Sequence, residues 1–313
     1  IGNDLEAISN FRQACELNPA LIGSWKALHE LFKSNNNKIA SDHALEQFNK
    51  FKRLPNALLY IDQIMNEDRL GLAEIKCREF LKKFPTHTYA MSQLAEIASR
   101  LGHYNDAEYL LEQATNFEPN NPDLRMKYLM VLRKTQKFIK TSQQVNILCE
   151  KFPNNPIYEL QKAIELMQNG KNSSAIDMLN HIIKKSPTNF SAFTSRGHAE
   201  KTLGKTDDAI NSYQQAYKIK PNHGEAFFSL SNLKTYRFNN NEINLMKNQL
   251  QRVDLSLREK AYFHFALAQG YELNRDFEDA FYHFNKGNII KNNQSKYSID
   301  GMDKEFDDQI KSR

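Results

Sequence analysis

The residue types that carry out catalysis or bind metals occur in the chain, but their spacing matches no catalytic or metal-binding motif. The 313 residues include nine histidines and three cysteines. No two histidines form an HxxxH or HExxH pair and no two cysteines form a CxxC pair, so the sequence predicts no metal site. We expect no catalytic, cofactor-binding or metal-binding residue in this chain.

The stretch from Gly197 to Gly204-Lys205-Thr206 comes nearest to a phosphate-binding loop. A P-loop has four residues between its glycines and follows a strand, because its backbone amides hold phosphate at the start of a helix. Here six residues separate the glycines, and the preceding pattern is helical. The two glycines are better explained as a packing position and a turn between helices.

Composition excludes several other classes of function. The cysteines Cys15, Cys77 and Cys149 are far apart and fall where small apolar side chains would pack, which predicts reduced thiols and a cytoplasmic location. A net charge of +5 is small for this length, and no apolar run approaches the ~18 residues that cross a bilayer. We expect neither nucleic acid nor membrane as a partner.

One stretch is locally basic, and two interpretations of it remain open. It could contact an acidic partner, or it could be an ordinary solvated helix face. Its charged residues are Lys127, Arg133, Lys134, Lys137 and Lys140.

Regularly spaced prolines predict the helices that position these residues. Five of the nine prolines are spaced by 34 residues, namely Pro85, Pro119, Pro153, Pro187 and Pro221. Proline cannot continue a helix, so each one marks a helix end. Twelve residues before each proline lies a small residue that lets two helices approach closely: Ala73, Ala107, Thr141, Ala175 and Ala209. Glycines 102, 170 and 204 fall at turn positions between helices, so the repeating unit is helix, turn, helix.

The stretch from Phe190 to Pro221 shows this unit most fully. Its spaced residues are Phe193, Gly197, Leu203, Gly204, Ala209, Tyr213, Ala216 and Pro221. This order resembles the tetratricopeptide repeat (TPR), a family of 34-residue helix pairs. The resemblance implies an all-α fold, a TPR superhelical solenoid of antiparallel helix pairs, with Thr206 or Asp207 as the N-cap of the second helix in this repeat.

The phase of the repeats predicts three regions. Residues 1–221 are expected to form the TPR solenoid. Its first repeat is truncated, because the chain opens in the phase of a second helix, and we expect further repeats before Ile1. Pro19 to Pro85 is 66 residues, two short of two periods, so we expect an irregular stretch at 36–56. Residues 222–292 are expected to form irregular TPR-like helical repeats, and 293–313 a polar tail or a linker to a missing domain, with an apolar stripe of Met302, Phe306 and Ile310.

Three segments near the C-terminus resemble a more specific family. They are residues 224–238 (GEAFFSLSNLKTYRF), 263–268 (FHFALA) and 277–288 (FEDAFYHFNKGN). They are similar to the repeat region of bacterial proteins that join TPRs to a C-terminal sulfotransferase domain. The resemblance implies a parent enzyme that uses 3'-phosphoadenylyl sulfate (PAPS), although no sulfotransferase domain and no PAPS site lie within this chain.

The TPR resemblance also implies which residues line a binding groove, since the first helix of each repeat lines it at fixed positions. Carried onto this chain, these positions are Tyr89, Ser92, Glu96, Met126, Met130, Arg133, Thr194, His198, Lys201, Phe228 and Asn232. The alternative is that several of them only solvate the groove. Lys and Asn are missing from the positions of the family's carboxylate clamp, so a chaperone adaptor of that type is not expected.

Two functions follow from these observations. In the first, the chain is a scaffold that binds a protein or peptide in its groove, either alone as an adaptor that assembles a complex or within a larger protein. In the second, the parent protein is a PAPS-dependent sulfotransferase, and this chain is its N-terminal substrate-positioning arm. The downstream sequence distinguishes the two, because only the second requires a sulfotransferase domain after Arg313.

Overall fold

The computed structural model describes residues 2–18, 20–252 and 255–294, which form seventeen α-helices and no strand. The predictions for Pro19 and for residues 293–313 concern residues that lie mostly outside this part, including the stripe of Met302, Phe306 and Ile310. The helices are α1 (Gly2–Leu17), α2 (Ile22–Ser34), α3 (Lys38–Lys52), α4 (Asn56–Asn66), α5 (Leu70–Lys83), α6 (Thr88–Leu101), α7 (Tyr104–Phe117), α8 (Pro122–Lys134), α9 (Phe138–Lys151), α10 (Pro156–Gln168), α11 (Asn172–Lys185), α12 (Phe190–Thr202), α13 (Thr206–Ile219), α14 (Gly224–Ser231), α15 (Asn240–Leu250), α16 (Leu257–Leu273) and α17 (Phe277–Gln294).

The helices form two compact units, residues Ile1–Pro153 and Asn154–Arg313. In the first unit, α2 packs on α3, α4 on α5, α6 on α7 and α8 on α9, each pair joined by a short turn. In the second unit, the pairs are α10 with α11, α12 with α13 and α16 with α17, and α14 packs against both α13 and α16. Each unit is therefore a stack of helix pairs, as the repeat predicts.

The five spaced prolines each follow a helix end of the same geometry. The residue before each proline is the C-cap, with φ between −124° and −136° and ψ between 66° and 87°. Proline pushes its predecessor out of the helical region in this way, because its Cδ clashes with a helical neighbour. The five helices that end there are each 14 residues long.

The turns inside the repeats use a left-handed residue at a constant position. Gly102, Gly170 and Gly204 have φ of 89°, 75° and 74°, and Asp68 and Gln136 occupy the same position with φ of 57° and 56°. After Gly204, the amide of residue 205 donates to the Glu200 carbonyl at 2.9 Å, which closes the first helix in a Schellman-type turn. The second helix starts directly afterwards, with Lys205 at the N-cap and no side-chain cap. The predicted caps Thr206 and Asp207 lie instead within the first turn of α13.

The irregular spacing near the N-terminus has a local origin. The left-handed turn residues Asn36 and Asp68 are 32 positions apart, whereas the later ones are 34 apart. Helix α4 has 11 residues, while α6, α8, α10 and α12 have 13 or 14. The shortening lies in α4, which begins directly after Pro55 and has two residues fewer than α8, α10 and α12.

The column of small residues lies at the contacts between helices. Its five members, Ala73, Ala107, Thr141, Ala175 and Ala209, are between 0% and 1% exposed. Gly197 has the same role on α12, because a Cβ added there would lie 2.5 Å from Cε1 of the buried Tyr213 ring. Small side chains at these positions let the paired helices approach closely.

Helices α14 and α16 share one hydrophobic core with the repeat at residues 190–221. Phe227, Phe263 and Leu267 pack in the same cluster as Tyr213 and Tyr217. Helix α16 begins at the N-cap Ser256, whose side chain accepts a hydrogen bond from the Glu259 amide. Every helix in the described part of the chain is too short or too polar to span a membrane.

Candidate binding groove

The predicted groove residues lie on the first helices of their repeats, in both units. Helix α6 carries Tyr89, Ser92 and Glu96, and α8 carries Met126, Met130 and Arg133. In the second unit, α12 carries Thr194, His198 and Lys201, Phe228 lies on α14 and Asn232 is the C-cap of α14.

A cleft of about 950 Å³ in the first unit collects three of the predicted residues. Tyr89, Ser92 and Met126 line it, together with apolar side chains such as Leu54 and Leu124. Its volume falls in the range of pockets that enclose small molecules or short peptide segments. Glu96, Met130 and Arg133 lie on the same two helices but not on the wall of this cleft.

A half-buried acid, Asp62, fixes the orientation of Tyr89. The Tyr89 hydroxyl donates to Asp62 Oδ2 at 2.7 Å, and Gln93 Nε2 donates to Asp62 Oδ1 at 2.6 Å and to the Leu58 carbonyl at 2.9 Å. Burial raises the pKa of Asp62 above its ordinary value, although the hydrogen bonds from Gln93 and Tyr89 oppose the rise. Since its hydroxyl is used by Asp62, Tyr89 offers the cleft the surface of its ring.

Lys127, which is not one of the predicted groove residues, lines the same cleft. Lys127 Nζ donates to Ser92 Oγ at 2.8 Å and lies 3.4 Å from Glu96 Oε2. Ser92 is only 3% exposed, so its main contact is this hydrogen bond. The ion pair with Glu96 is exposed on both sides and therefore contributes little stability.

The loop edge of the cleft is charged. Lys50 from α3 and Asp123 from α8 form an ion pair of 2.8 Å, and Lys83 lies at the end of α5. Glu118 accepts hydrogen bonds from the Thr88 hydroxyl and from Asn121 Nδ2. None of these residues occupies a predicted groove position. Lys50 and Lys83 lie on second helices, Glu118 lies in a loop, and Asp123 lies in the first turn of α8.

The two methionines on α8 differ in their surroundings. Met126 is half-buried and lines the cleft, whereas Met130 is 59% exposed and lies outside it. Arg133 is half-buried on the next turn of the same helix. A ligand in the cleft would therefore contact Met126 before the other two.

In the second unit, two predicted groove residues are occupied by contacts within the protein. Thr194 is 5% exposed, donates to the Phe190 carbonyl at 3.0 Å and lies 3.0 Å from His223 Nε2. His198 Nδ1 lies 2.9 Å from the Tyr213 hydroxyl, and its Nε2 lies 3.5 Å from Glu225. The hydrogen bond with His198 lowers the pKa of Glu225 against the opposing effect of burial.

The remaining predicted residues of the second unit lie on a more open surface. Phe228 is half-buried, and its ring centroid lies 5.2 Å from that of Tyr262 and 6.1 Å from that of Phe265. Asn232 Oδ1 accepts a hydrogen bond from Gln269 at 3.3 Å, and Lys201 is exposed. Contact of these side chains with a ligand stays a prediction.

The locally basic stretch is largely neutralised within the first unit. Lys137 and Lys140 donate to Glu108 at 2.5 and 3.1 Å, and Lys140 also pairs with Glu112 at 3.1 Å. Burial alone would raise the pKa of Glu108, but the hydrogen bonds from the two lysines leave it lowered. Lys134 lies over the Tyr104 ring. Of the two interpretations, these contacts favour an ordinary helix face whose lysines pair with acidic side chains of the same unit.

The polar side chains of the cleft are engaged within the protein. Tyr89 is hydrogen-bonded to Asp62, and Ser92 is hydrogen-bonded to Lys127. In the described part of the chain, no three His, Cys, Asp or Glu side chains lie close enough together to hold a metal ion.

Comparison with known proteins identifies one repeat in the sequence. A family model described as "Tetratricopeptide repeat" matches residues 190–223. No curated protein sequence matches the chain.

Several solved structures share the architecture at low sequence identity. Human IFIT1 with m7Gppp-AAAA is 15% identical, with a TM-score of 0.56, over 96% of this chain and 76% of that chain. YrrB, described as a TPR protein with an unusual peptide-binding site, is 17% identical, with a TM-score of 0.45, over 57% of this chain and 91% of that chain. MamA is 15% identical, with a TM-score of 0.45, over 52% of this chain and 90% of that chain. The predicted fold class, a helical solenoid of TPR type, is confirmed. These matches concern the repeat fold and do not reach the sulfotransferase family.

Proposed function

We propose that the cleft of the first unit binds an extended segment of a partner protein, which makes the chain a protein-binding TPR scaffold. The observation that carries this proposal is the cleft of about 950 Å³ with Tyr89 and Met126 on its wall. The two side chains come from successive first helices, α6 and α8. The half-buried ring provides apolar contact area at a low cost in conformational entropy, and the flexible thioether adapts to the shape of its partner.

The surrounding polar groups support a peptide as the ligand. An extended peptide brings backbone donors and acceptors at every residue, and it needs partners for them in a cleft. Lys127 Nζ, the Ser92 hydroxyl and the Glu118 carboxylate lie on the same wall. Leu124 and Met126 line the same cleft, so it can contact both the backbone and the apolar side chains of a peptide.

Removal of an apolar contact from the cleft tests this proposal. Peptides selected on the purified chain from a random display library should bind Met126→Asn at least about tenfold more weakly, a loss of about 1.4 kcal/mol. Ile139→Asn is the matched control, because Ile139 is 79% exposed on the second helix α9 and lies away from the cleft. Equal affinity of the two variants would show that the peptides bind elsewhere.

We propose further that this scaffold is the N-terminal substrate-positioning arm of a PAPS-dependent sulfotransferase. Its support is the resemblance of residues 224–238, 263–268 and 277–288 to that family. In the structure, the last two of these segments lie on the packed pair α16 and α17, and α14, which carries most of the first, packs against α16. The sequence downstream of Arg313 tests the proposal. A nucleotide-binding sulfotransferase domain is expected there, whereas a different domain or a stop codon leaves a stand-alone adaptor that assembles a complex.

A further inference from the structure

Three lysines lie on the wall of the cleft and differ in how firmly they are held. Lys50 pairs with Asp123 at 2.8 Å, and Lys127 is shared between Ser92 and Glu96. Lys83 forms no ion pair within the described residues. The cleft thus presents one ammonium group without an acid partner and two whose partners can be exchanged.

The acids of the cleft are less available than its lysines. Glu118 already accepts hydrogen bonds from Thr88 and Asn121. Asp123, the other acid on the wall, is engaged by Lys50. A basic ligand would have to take Asp123 from Lys50 and would then leave Lys50 beside a second positive charge.

The ion pair of Lys50 and Asp123 is weak enough for a ligand to take the place of Asp123. The two side chains are 39% and 68% exposed, and an ion pair at such a surface contributes little stability. The residues belong to α3 and α8, so their contact joins two walls of the cleft across 73 positions of sequence. If a ligand displaces Asp123, that carboxylate returns to water and no charge is left buried and unpaired.

We propose that the partner of the cleft is an acidic peptide segment. One carboxylate of the segment replaces Asp123 on Lys50, a second pairs with Lys83, and an apolar residue between them packs on Met126. A neutral peptide would have to open the Lys50 ion pair without replacing it. The inference rests on the proposed function of the cleft and specifies the chemistry of its ligand.

Three matched pools of twelve-residue peptides test the inference on the whole chain. Alternate positions carry Glu, Gln or Lys, and the other positions mix Leu, Phe, Tyr and Ser in the same proportions in all three pools. We expect the Glu pool to bind most tightly and its affinity to fall as NaCl rises from 0.05 to 0.5 M, because exposed ion pairs are screened. The strongest members are then measured by fluorescence anisotropy.

Substitution of Asp123 gives the sharpest test, because the inference predicts a gain. Asp123→Asn frees Lys50 and should raise the affinity for Glu peptides by up to about fivefold, the equivalent of one exposed ion pair. Lys83→Met should lower that affinity by a similar factor, and in Lys50→Met the gain from Asp123→Asn should vanish. Asp68→Asn is the matched control, because Asp68 pairs with Arg100 at 2.8 Å, is 80% exposed and lies outside the cleft.

The possible outcomes separate the two proposals. If Gln or Lys peptides bind as tightly as Glu peptides and Met126→Asn still weakens them, the cleft binds peptides but the acidic partner is refuted. An unchanged or lower affinity of Asp123→Asn for Glu peptides also refutes it. If none of the pools binds, both the proposed function and the acidic partner are overturned.

Discussion

The close contact between Gly197 and Tyr213 gives the most direct test of the helix packing. A Cβ at position 197 would lie 2.5, 2.8 and 2.9 Å from three ring carbons of Tyr213. Carbon atoms in contact are normally about 3.5–4.0 Å apart, so the ring would have to move by about 1 Å. Tyr213 is fully buried and its hydroxyl is hydrogen-bonded to His198 at 2.9 Å, so it has little room to move.

The expected cost of Gly197→Leu follows from this geometry. Overpacking a dense core typically costs about 1–3 kcal/mol in the free energy of unfolding. For a protein of this size, that loss corresponds to a fall in Tm of roughly 2–12 °C. Circular dichroism during thermal and urea denaturation measures both quantities.

Two controls separate the clash from other effects of the substitution. Gly71→Leu makes the same change at an exposed helical position where no atom lies within 4 Å of the added Cβ, and stability should stay the same or rise by up to about 1 kcal/mol. Lys201→Ala, an exposed position on the same helix as Gly197, should change stability by less than about 0.5 kcal/mol.

A double substitution tests whether the side chain added at position 197 clashes with Tyr213. Tyr213→Ala makes room beside position 197, so the combined variant should be less destabilised than the sum of the single changes by about 0.5–3 kcal/mol. Wild-type stability of Gly197→Leu, or strict additivity of the pair, would refute the assigned contact.

Three further predictions concern other parts of the chain. Burial lowers the pKa of His264 from 6.5 to about 4, so the unfolded chain takes up the proton first and stability should fall as the pH drops from 6.5 towards 4. Thermal melts across this range should show a loss that His264→Gln reduces; an identical pH profile would contradict it. Asn239→Ala removes the side-chain cap of α15 and should lower the free energy of unfolding, measured by urea titration, by about 1 kcal/mol. An unchanged free energy of unfolding would show that the cap does not stabilise the helix. At pH 8, iodoacetamide should modify the half-buried Cys149 before Cys15 and Cys77, whose burial raises the thiol pKa to about 11 and about 12; peptide mapping gives the order, and equal rates would count against it.

The helical repeat could be predicted from the sequence because its signals are local. A proline or a glycine acts on the backbone of its own turn, so a 34-residue spacing of such residues places helix ends without knowledge of the packing. The turn residues Asp68 and Gln136 could not be found in this way, because neither is a glycine, although both adopt the left-handed conformation. Only their distance from the neighbouring turns identifies them.

The binding cleft was less predictable, because it depends on contacts between repeats. The groove positions select Tyr89, Ser92 and Met126, which do line the cleft. They also select Thr194, which is buried against His223, because a position rule contains no information on what a neighbouring repeat supplies. The lysines of the cleft come from three different helices, and only the folded chain brings them together.

The ion pair of Lys50 and Asp123 has a consequence for how the first unit opens. A stack whose helix pairs contact only their neighbours frays from its ends, one pair at a time. This ion pair skips two complete helix pairs, since α3 and α8 are separated in sequence by α4, α5, α6 and α7. Opening of α2 and α3 therefore also breaks a contact with α8, which couples these parts of the unit by no more than about 1 kcal/mol, because the pair is exposed. An acidic ligand that takes Lys50 would remove this coupling.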